Sequence, residues 1–144
     1  MHGSCEMPNY NPPDEEIKGL LEKAQTIAVV GLSNNPSRDS YRVAQYLKEK
    51  GYTIIPVNPR YDEILGEKSY PDLASVPIPI DIVDVFRKIE EVPKVVEDAI
   101  KVKPQAIWLQ LGLAHAVSEI KTREHNITFI QSKCLKIEHS RYFK

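Results

Sequence analysis

The sequence predicts an α/β fold: a doubly wound, mostly parallel sheet of five strands, with helices on both faces, in a single domain. Short apolar runs alternate with segments of helical periodicity along nearly the whole chain, which is typical of βαβ units. The apolar runs are continuous rather than alternating, as in strands that helices cover on both faces. The length of 144 residues suits one domain, and no internal repeat or second core is visible.

The first elements are an N-terminal arm and a short helix. Residues 1–13 are polar and rich in proline, and we expect them to form a flexible arm in front of a domain of residues 14–144. Asp14 is a candidate N-cap for a helix, because apolar residues recur after it at the spacing of one helix face.

Five apolar runs give the predicted strands. They are residues 27–31, 53–58, 80–86, 106–110 and 127–130. Helical periodicity follows the first, third and fourth of these runs, over residues 41–51, 92–100 and 114–125. A segment rich in Pro and Gly, residues 59–79, follows the second run and predicts a long loop or a small helix. Right-handed crossovers between the strands then give a doubly wound sheet.

Composition and charge exclude several classes of protein. Hydrophobic residues make up 42% and charged residues 27%, which is globular rather than disordered. The formal net charge is −1, so we expect no bulk attraction to nucleic acid or to an acidic membrane. No signal-peptide core or membrane-length apolar run is present, and Cys5 and Cys134 lie too far apart to suggest a disulfide framework or a zinc site. We therefore expect a cytoplasmic protein without a metal.

The fold points to the carboxyl ends of the strands as the ligand site, because open α/β sheets bind ligands there, near the point where strand order reverses. The thirteen lysines lie mainly on predicted helices and on the tail. Four of the six arginines instead lie in or beside the strand-end segments: Arg38, Arg42, Arg60 and Arg87. A planar guanidinium suits phosphate oxygens, so this distribution favours a phosphate-rich ligand over a chance scatter of surface arginines.

The first strand ends in a glycine turn, the sequence GLSNNPSRDS at residues 31–40. Gly31 permits a sharp turn, and the following helix directs its N–H groups at that turn. Ser33, Ser37 and Ser40 add hydroxyl donors and Arg38 adds a charge, which together would suit a pyrophosphate. A glycine turn with a serine cap is also common in α/β proteins in general, so the residues leave both interpretations open.

Two departures argue against an ordinary NAD site. Ser33 and Pro36 occupy the second and third glycine positions of the G-x-G-x-x-G pattern. The second strand ends in Val-Asn-Pro-Arg at residues 57–60, without an acidic residue to hold a free ribose diol. An arginine there suits a phosphorylated ribose, which both NADP and coenzyme A carry, and the residues do not separate the two. A purely structural turn at Asn58-Pro59 is an equal alternative.

A set of short motifs runs along the chain. They are Ile27-Ala-Val-Val-Gly-Leu-Ser33, Pro36, Arg38, Ser40-Tyr-Arg-Val43, Gly51-Tyr52, Pro56-Val-Asn-Pro59, Gly66, Asp84-Val-Phe-Arg87, Trp108-Leu-Gln-Leu-Gly112 and Cys134-Leu-Lys-Ile-Glu-His139. Together they resemble the single-domain CoA-binding proteins, a family related to the CoA-binding domain of the succinyl-CoA synthetase alpha subunit. The resemblance runs from about Ile17 to His139, and it implies a Rossmann-like sheet with coenzyme A across the carboxyl ends of its first three strands.

The resemblance implies a binding role for residues of four loops. Those expected to hold the pyrophosphate are Gly31, Leu32, Ser33, Arg38 and Ser40. Those expected to flank the adenosine and its 3′-phosphate are Val57, Asn58, Pro59 and Arg60. Those expected beside the adenine and the start of the pantetheine arm are Val85, Phe86 and Arg87. Those expected toward the thiol are Gln110 and Gly112. Near that thiol end, Ser132-Lys133 and Leu113-Ala114-His115 differ from the family's usual Asp-Arg and polar turn.

No complete catalytic set is visible, since catalysis requires a positioned nucleophile or an acid–base pair. The candidates are Cys134, His115, His139 and Asp84. A lone cysteine after a strand is more often a small buried hydrophobe, and histidines at these places more often cap a helix or lie at the surface. We predict no catalytic and no metal-binding residue.

The sequence thus predicts a protein that binds coenzyme A or an acyl-CoA without chemistry of its own. Two alternatives stay open: a non-catalytic subunit of an enzyme that handles acyl-CoA, and an NADP-binding oxidoreductase with a degenerate glycine loop. The expected partner is a small molecule rather than nucleic acid or membrane, and a protein partner or a homodimer also stays open.

Overall fold

The computed structural model describes residues 11–143 and contains seven strands within them. They are β1 (Thr26–Val30), β2 (Thr53–Val57), β3 (Glu63–Ile64), β4 (Glu67–Lys68), β5 (Ile82–Val85), β6 (Ala106–Leu109) and β7 (Thr128–Ile130). Five of them form a parallel sheet in the order β2-β1-β5-β6-β7, and β3 and β4 form a separate antiparallel hairpin. The predicted Rossmann-like α/β domain with a five-stranded parallel sheet is confirmed. Strand order reverses beside β1, since β2 lies on one side of it and β5 on the other.

Helices cover both faces of the sheet. They are α1 (Asp14–Lys23), α2 (Asp39–Glu49), α3 (Val92–Lys101), α4 (Ala116–Glu124) and α5 (Leu135–Tyr142). One face packs against α1, α2 and α5 through residues such as Val29, Ile82 and Trp108. The opposite face packs against α3 through residues such as Val30, Val83 and Leu109. This division explains the continuous apolar runs, because alternate residues of each strand enter different cores.

Two helical details differ from the sequence-based expectation. Asp14 is the first residue of α1 rather than its N-cap; Pro13 holds the cap position in extended geometry, and the Asp14 carboxylate accepts from Arg141 at 2.8 Å. The sequence predicts no helix after the fifth strand, but α5 follows it. The eight-residue α5 lacks a clear apolar stripe, because two of its three buried residues are Glu138 and His139.

Residues 59–79 form the predicted irregular segment. They contain the β3–β4 hairpin and one short 3₁₀ turn at Leu73–Ser75. The backbone of Tyr70 anchors the segment to β2: its N–H donates to the carbonyl of Pro56 at 3.0 Å, and its carbonyl accepts from the N–H of Asn58 at 2.8 Å. The segment therefore covers the outer edge of β2 where that strand ends.

The N-terminal arm lies mostly outside the described residues, as does Cys5. Asn11 is described, and its amide pairs with the backbone of Gln131, donating to the carbonyl at 2.9 Å and accepting from the N–H at 2.7 Å. Within residues 11–143, no helix has the length and apolarity required to cross a bilayer. The same residues hold no group of three His, Cys, Asp or Glu side chains arranged to bind a metal ion.

Candidate functional site

The strand register brings the ends of three strands together. Val30 of β1 lies opposite Val57 of β2 on one side and Val85 of β5 on the other. The loops that follow these residues therefore start at the same level, at the point where strand order reverses. Ligands of open parallel sheets bind at this position. We call the loops 31–40, 57–60, 85–87 and 110–112 together the carboxyl-edge site; all fourteen residues of the predicted binding set lie on them.

Gly31 allows the first loop to pass close to the third. Its φ is +87°, and a Cβ atom there would lie 2.1 Å from the carbonyl oxygen of Phe86 and 2.7 Å from Cδ of Arg87. The Gly31 N–H donates to the carbonyl of Val57 at 2.9 Å, and the Phe86 N–H donates to the carbonyl of Val30 at 2.9 Å. Only a residue without a side chain permits this approach, so Gly31 sets the geometry of the whole edge.

Serine and asparagine side chains shape the first loop. The Ser40 hydroxyl accepts from the N–H of Ser33 at 3.0 Å, and the Ser33 hydroxyl accepts from the N–H of Asn35 at 3.0 Å. Neither hydroxyl donates a hydrogen bond to another described residue; Ser33 is half-buried, whereas Ser40 is 6% exposed. Ser37 differs, because its hydroxyl donates to Asn35 Oδ1 at 2.8 Å. The side chain of Leu32 is fully buried, so only its backbone is available to a ligand.

Asn58 ties the second loop to the first. Its Nδ2 donates to the carbonyl of Leu32 at 3.0 Å, and its Oδ1 accepts from the N–H of Arg60 at 3.0 Å. Its backbone carbonyl also accepts from the hydroxyl of Ser69 at 3.1 Å. Asn58 is 7% exposed. Its amide thus has the structural role that the sequence left open as an alternative, and its direct contact with an adenosine stays a prediction.

The four arginines differ in their local partners. Arg42 contacts Asp39 at 2.9 Å, and the Nε of Arg87 lies 2.9 Å from Glu91. Arg38 and Arg60 are exposed, and their guanidinium groups have no hydrogen bond or ion pair with any residue in the described part of the chain. Exposed ion pairs contribute only about 0–1 kcal/mol, so even Arg87 can exchange its carboxylate for a ligand phosphate at little cost.

The second and third loops each mix core and surface residues. Val57 and Val85 are 4% and 0% exposed, and their side chains belong to the core that α3 covers. Pro59 is exposed, and Phe86 is half-buried and packs against the α1, α2 and α5 core. Of this group, only Phe86 and Pro59 are exposed at the edge in part or in full, and contact of these four residues with a ligand stays a prediction.

A buried carboxyl group lies at the same end of β5. Asp84 is 0% exposed, and its Oδ1 accepts from Nε2 of Gln110 at 2.5 Å, while Oδ2 has no partner among the described residues. Burial raises the pKa of Asp84 to about 7, against the opposing effect of the Gln110 hydrogen bond. Asp81 lies at the other end of the strand, where its Oδ2 accepts from the N–H groups of Gln25 and Thr26. The sequence analysis names Asp84 as a catalytic candidate, and Asp84 is not in the predicted binding set. Its position in an otherwise apolar run is the signal that marks it.

The far end of the site is built by the loops after β6 and β7. Gly112 is exposed, and its N–H donates to the hydroxyl of Ser132 at 3.2 Å. The N–H of Ser132 in turn donates to the carbonyl of Leu113 at 2.8 Å. Trp108 is fully buried and donates its indole N–H to the carbonyl of Lys133 at 2.9 Å. The two segments that depart from the family's pattern therefore bond to each other beside Gly112.

The other catalytic candidates have structural surroundings. His115 caps α4, since its Nδ1 accepts from the N–H of Ser118 at 3.1 Å. His139 is 7% exposed, and its Nδ1 lies 2.9 Å from the hydroxyl of Tyr46. Cys134 is a half-buried free thiol that immediately precedes α5. No nucleophile and base are hydrogen-bonded to each other among these residues.

Two surface cavities lie away from the carboxyl-edge site. The first, of about 190 Å³, is lined by Pro12, Glu16, Arg123, Asn126, Ile127, Thr128 and Phe129. The second, of about 160 Å³, is lined by Thr53, Ile54, Ile55, Glu67, Lys68, Tyr70, Pro77 and Ile78. Neither contains a residue of the predicted binding set. The site is thus distinct from both cavities and is built on loops at the rim of the sheet.

The fold and the site define a class: doubly wound α/β domains whose strand-end loops converge where strand order reverses. Within that class, a family model described as a CoA binding domain matches residues 25–140. The chain belongs to this family.

Similar proteins include both single-domain and much larger chains. The uncharacterized protein YneT of Bacillus subtilis is 41% identical over 130 residues, which are 90% of this chain and 96% of that one. The ADP-forming acetate–CoA ligase of Methanocaldococcus jannaschii is 32% identical over 133 residues; these cover 86% of this chain but only 19% of the ligase. The solved structure of cell-free ID.343 from Thermus thermophilus has a TM-score of 0.88 at 36% identity, and the match covers 92% of this chain and 100% of that one.

Proposed function

We propose that the protein binds coenzyme A or an acyl-CoA at the carboxyl-edge site and catalyses no reaction by itself. The observation that carries this proposal is a pair of loops joined by the hydrogen bond between Asn58 and Leu32. Each loop has one exposed guanidinium, Arg38 on the first and Arg60 on the second, without a partner among the described residues. Coenzyme A carries a pyrophosphate and a separate 3′-phosphate, and two guanidinium groups on adjacent loops suit two such anions.

The first loop supplies the environment that a pyrophosphate requires. The close approach at Gly31 brings the backbone of the turn against Phe86 and Arg87, and α2 begins at Asp39, directly after the loop. Helix N-termini and free hydroxyl donors favour phosphate oxygens. We assign Ser33, Ser40 and Arg38 to the pyrophosphate, and Arg60 to the 3′-phosphate.

The absence of autonomous catalysis is the second part of the proposal. It is supported by the structural roles of two histidines. His115 caps a helix, and His139 bonds to Tyr46 within the core. Incubation with acetyl-CoA or succinyl-CoA tests it. We expect no release of free thiol above the rate without protein, and release that depends on the protein would show that it is a hydrolase or transferase.

A role as one component of a larger acyl-CoA-handling assembly is the second candidate. It is supported by the similarity to the M. jannaschii acetate–CoA ligase, in which the matching region is 19% of the protein. On this view a partner supplies the reacting groups and this chain holds the coenzyme. The cytoplasmic location predicted from the sequence stays a prediction on either view.

Calorimetry with coenzyme A, dephospho-CoA, NADP and NAD tests the ligand assignment. We expect coenzyme A to bind most tightly. Loss of the 3′-phosphate should weaken binding by about 10- to 100-fold, the effect of losing one charge-assisted hydrogen bond of roughly 1.5–3 kcal/mol. Tighter binding of NADP than of coenzyme A would favour the oxidoreductase alternative.

The Arg60→Ala variant locates the 3′-phosphate. We expect it to bind coenzyme A and dephospho-CoA equally, because the guanidinium that distinguishes them is gone. Lys101→Ala is the matched control, since it also removes an exposed cation but lies in the last turn of α3. An Arg60→Ala protein that still prefers coenzyme A over dephospho-CoA would contradict the assignment.

A further inference from the structure

The buried pair of Asp84 and Gln110 lies under the carboxyl-edge site. Asp84 is one residue from the end of β5 and lies opposite Val29 on β1 and Trp108 on β6. Its side chain is fully buried, and its Oδ2 has no partner among the described residues. Buried polar oxygens are nearly always hydrogen-bonded, so the lone oxygen of Asp84 at this edge calls for an explanation.

Gln110 connects the buried carboxyl to the edge. It follows β6 directly, is 6% exposed, and donates from Nε2 to Asp84 Oδ1. Its Oε1 has no hydrogen-bond partner in the described part of the chain. The fully enclosed side-chain atoms without a partner there are Asp84 Oδ2 and Thr122 Oγ1, so Oε1 of Gln110 is accessible. The Gln110 amide therefore contacts Asp84 with one end and solvent with the other.

The ionisation of Asp84 decides which end of the amide faces outward. An ionised carboxylate only accepts hydrogen bonds, so the Gln110 NH₂ group must face it and Oε1 must face the edge. A protonated carboxyl can donate its O–H to Oε1, which allows the amide to rotate and to present NH₂ at the edge instead. The two ends of an amide have the same shape, so this exchange needs no change in packing.

No charged neighbour fixes Asp84 in either state. The buried residues of α1 on this face are apolar, and those of α2 are apolar except for the uncharged Ser40. The buried ionisable groups of α5 have other partners: Glu138 accepts from Arg141 and Tyr142, and His139 bonds to Tyr46. The exposed ion pairs of these helices are Asp39 with Arg42, Lys48 with Glu67, and Asp14 with Arg141. Burial, opposed by the Gln110 hydrogen bond, sets the pKa of Asp84 at about 7, so both states are populated near neutral pH.

We propose that Asp84 is a positioning residue that sets whether Gln110 presents a hydrogen-bond acceptor or a donor to the thiol end of bound coenzyme A. This inference rests on the proposed function. With Asp84 ionised, Oε1 accepts from the S–H of the free thiol. With Asp84 protonated, the outward NH₂ donates to the carbonyl oxygen of a thioester. Acidification through neutral pH therefore shifts the preference of the protein from coenzyme A toward acyl-CoA.

Calorimetry at about pH 6 and about pH 8 tests this pH-dependent preference. The quantity compared is the ratio of the dissociation constants for acetyl-CoA and coenzyme A. Ionisation of the nucleotide phosphates cancels in the ratio, because both ligands carry the same nucleotide. We expect the ratio to change by about three- to tenfold between the two pH values, the effect of one hydrogen bond. The Asp84→Asn variant should give a ratio that does not depend on pH. Asp81→Asn removes a carboxylate at the other end of the same strand, and we expect it to keep the wild-type response.

Different results would overturn the role of Asp84 and the proposed function. A wild-type ratio that does not change with pH, or a change that persists in Asp84→Asn, overturns the role of Asp84 while leaving the proposed function intact. Failure of both ligands to bind overturns the proposed function and this inference together. If Asp84→Asn does not fold, Gln110→Met replaces it, since a side chain of similar length without an amide should also give a ratio independent of pH.

Discussion

Single residues at the carboxyl edge differ in how far their roles follow from the sequence. Gly31 was expected at a turn, and the structure adds the reason, because the carbonyl of Phe86 occupies the space of a Cβ atom. Leu32 is expected among the residues that hold the pyrophosphate, and its fully buried side chain leaves only its backbone for that role. Gly31 and Leu32 are neighbours in the same motif, but one is a point of close backbone approach and the other an apolar anchor. Only the register of β1 against β5 in the folded protein shows which is which.

Substitution of Gly31 by Ala should destabilise the protein more than the same change at Gly51. Both glycines have positive φ, +87° and +102°, so both variants incur the left-handed cost of roughly 1–2 kcal/mol. At Gly51 no atom lies within 4 Å of the added Cβ, whereas at Gly31 the Phe86 carbonyl lies at 2.1 Å. Urea unfolding measures both losses, and equal losses would show that the loop relaxes freely around residue 31.

Elements with a clear period were predictable, and those held by polar contacts were not. All five strands of the parallel sheet were predicted from apolar runs, because strands covered on both faces carry no polar side. Helix α5 was missed because its buried side chains include Glu138 and His139, which pair with Arg141 and with Tyr46. Such partners are distant in sequence or lie within the same short helix, so no periodic pattern reveals them.

The packing of α5 against α2 should depend on pH through His139. Burial, together with the charge of Lys50, lowers the pKa of His139, so folding favours the neutral ring. Its contribution to stability is therefore present above an unfolded pKa of about 6.5 and is lost as the pH falls through the folded value. Urea unfolding between about pH 7.5 and pH 5 should show wild type losing stability relative to His139→Gln. The exposed His125→Gln serves as the control, and a constant difference between wild type and His139→Gln would contradict this.

At the scale of the whole molecule, the sequence predicts the position of a ligand site more readily than the side chains that would contact the ligand. Alternating strands and helices imply a parallel sheet, and a parallel sheet implies a site at the carboxyl ends of its strands. Which guanidinium groups are free there depends on local carboxylates, such as Asp39 beside Arg42 and Glu91 beside Arg87. The position of Glu91 is set by the 3₁₀ turn of Ile89–Glu91, which directly precedes α3.

A ligand that spans the ends of β1, β2 and β5 should stabilise the entire domain. The carboxyl edge joins the two halves of the sheet on either side of the strand-order reversal, so separating those strands must also release the ligand. With free coenzyme A at about 100 times its dissociation constant, we expect the free energy of unfolding to rise by about 2.7 kcal/mol. Urea unfolding with and without coenzyme A measures this. An unfolding midpoint that does not move would show that coenzyme A does not bind selectively to the folded protein. Hydrogen exchange slowed in loops 31–40 and 57–60 but not in β1, β2 and β5 would mean that these strands separate without releasing the ligand.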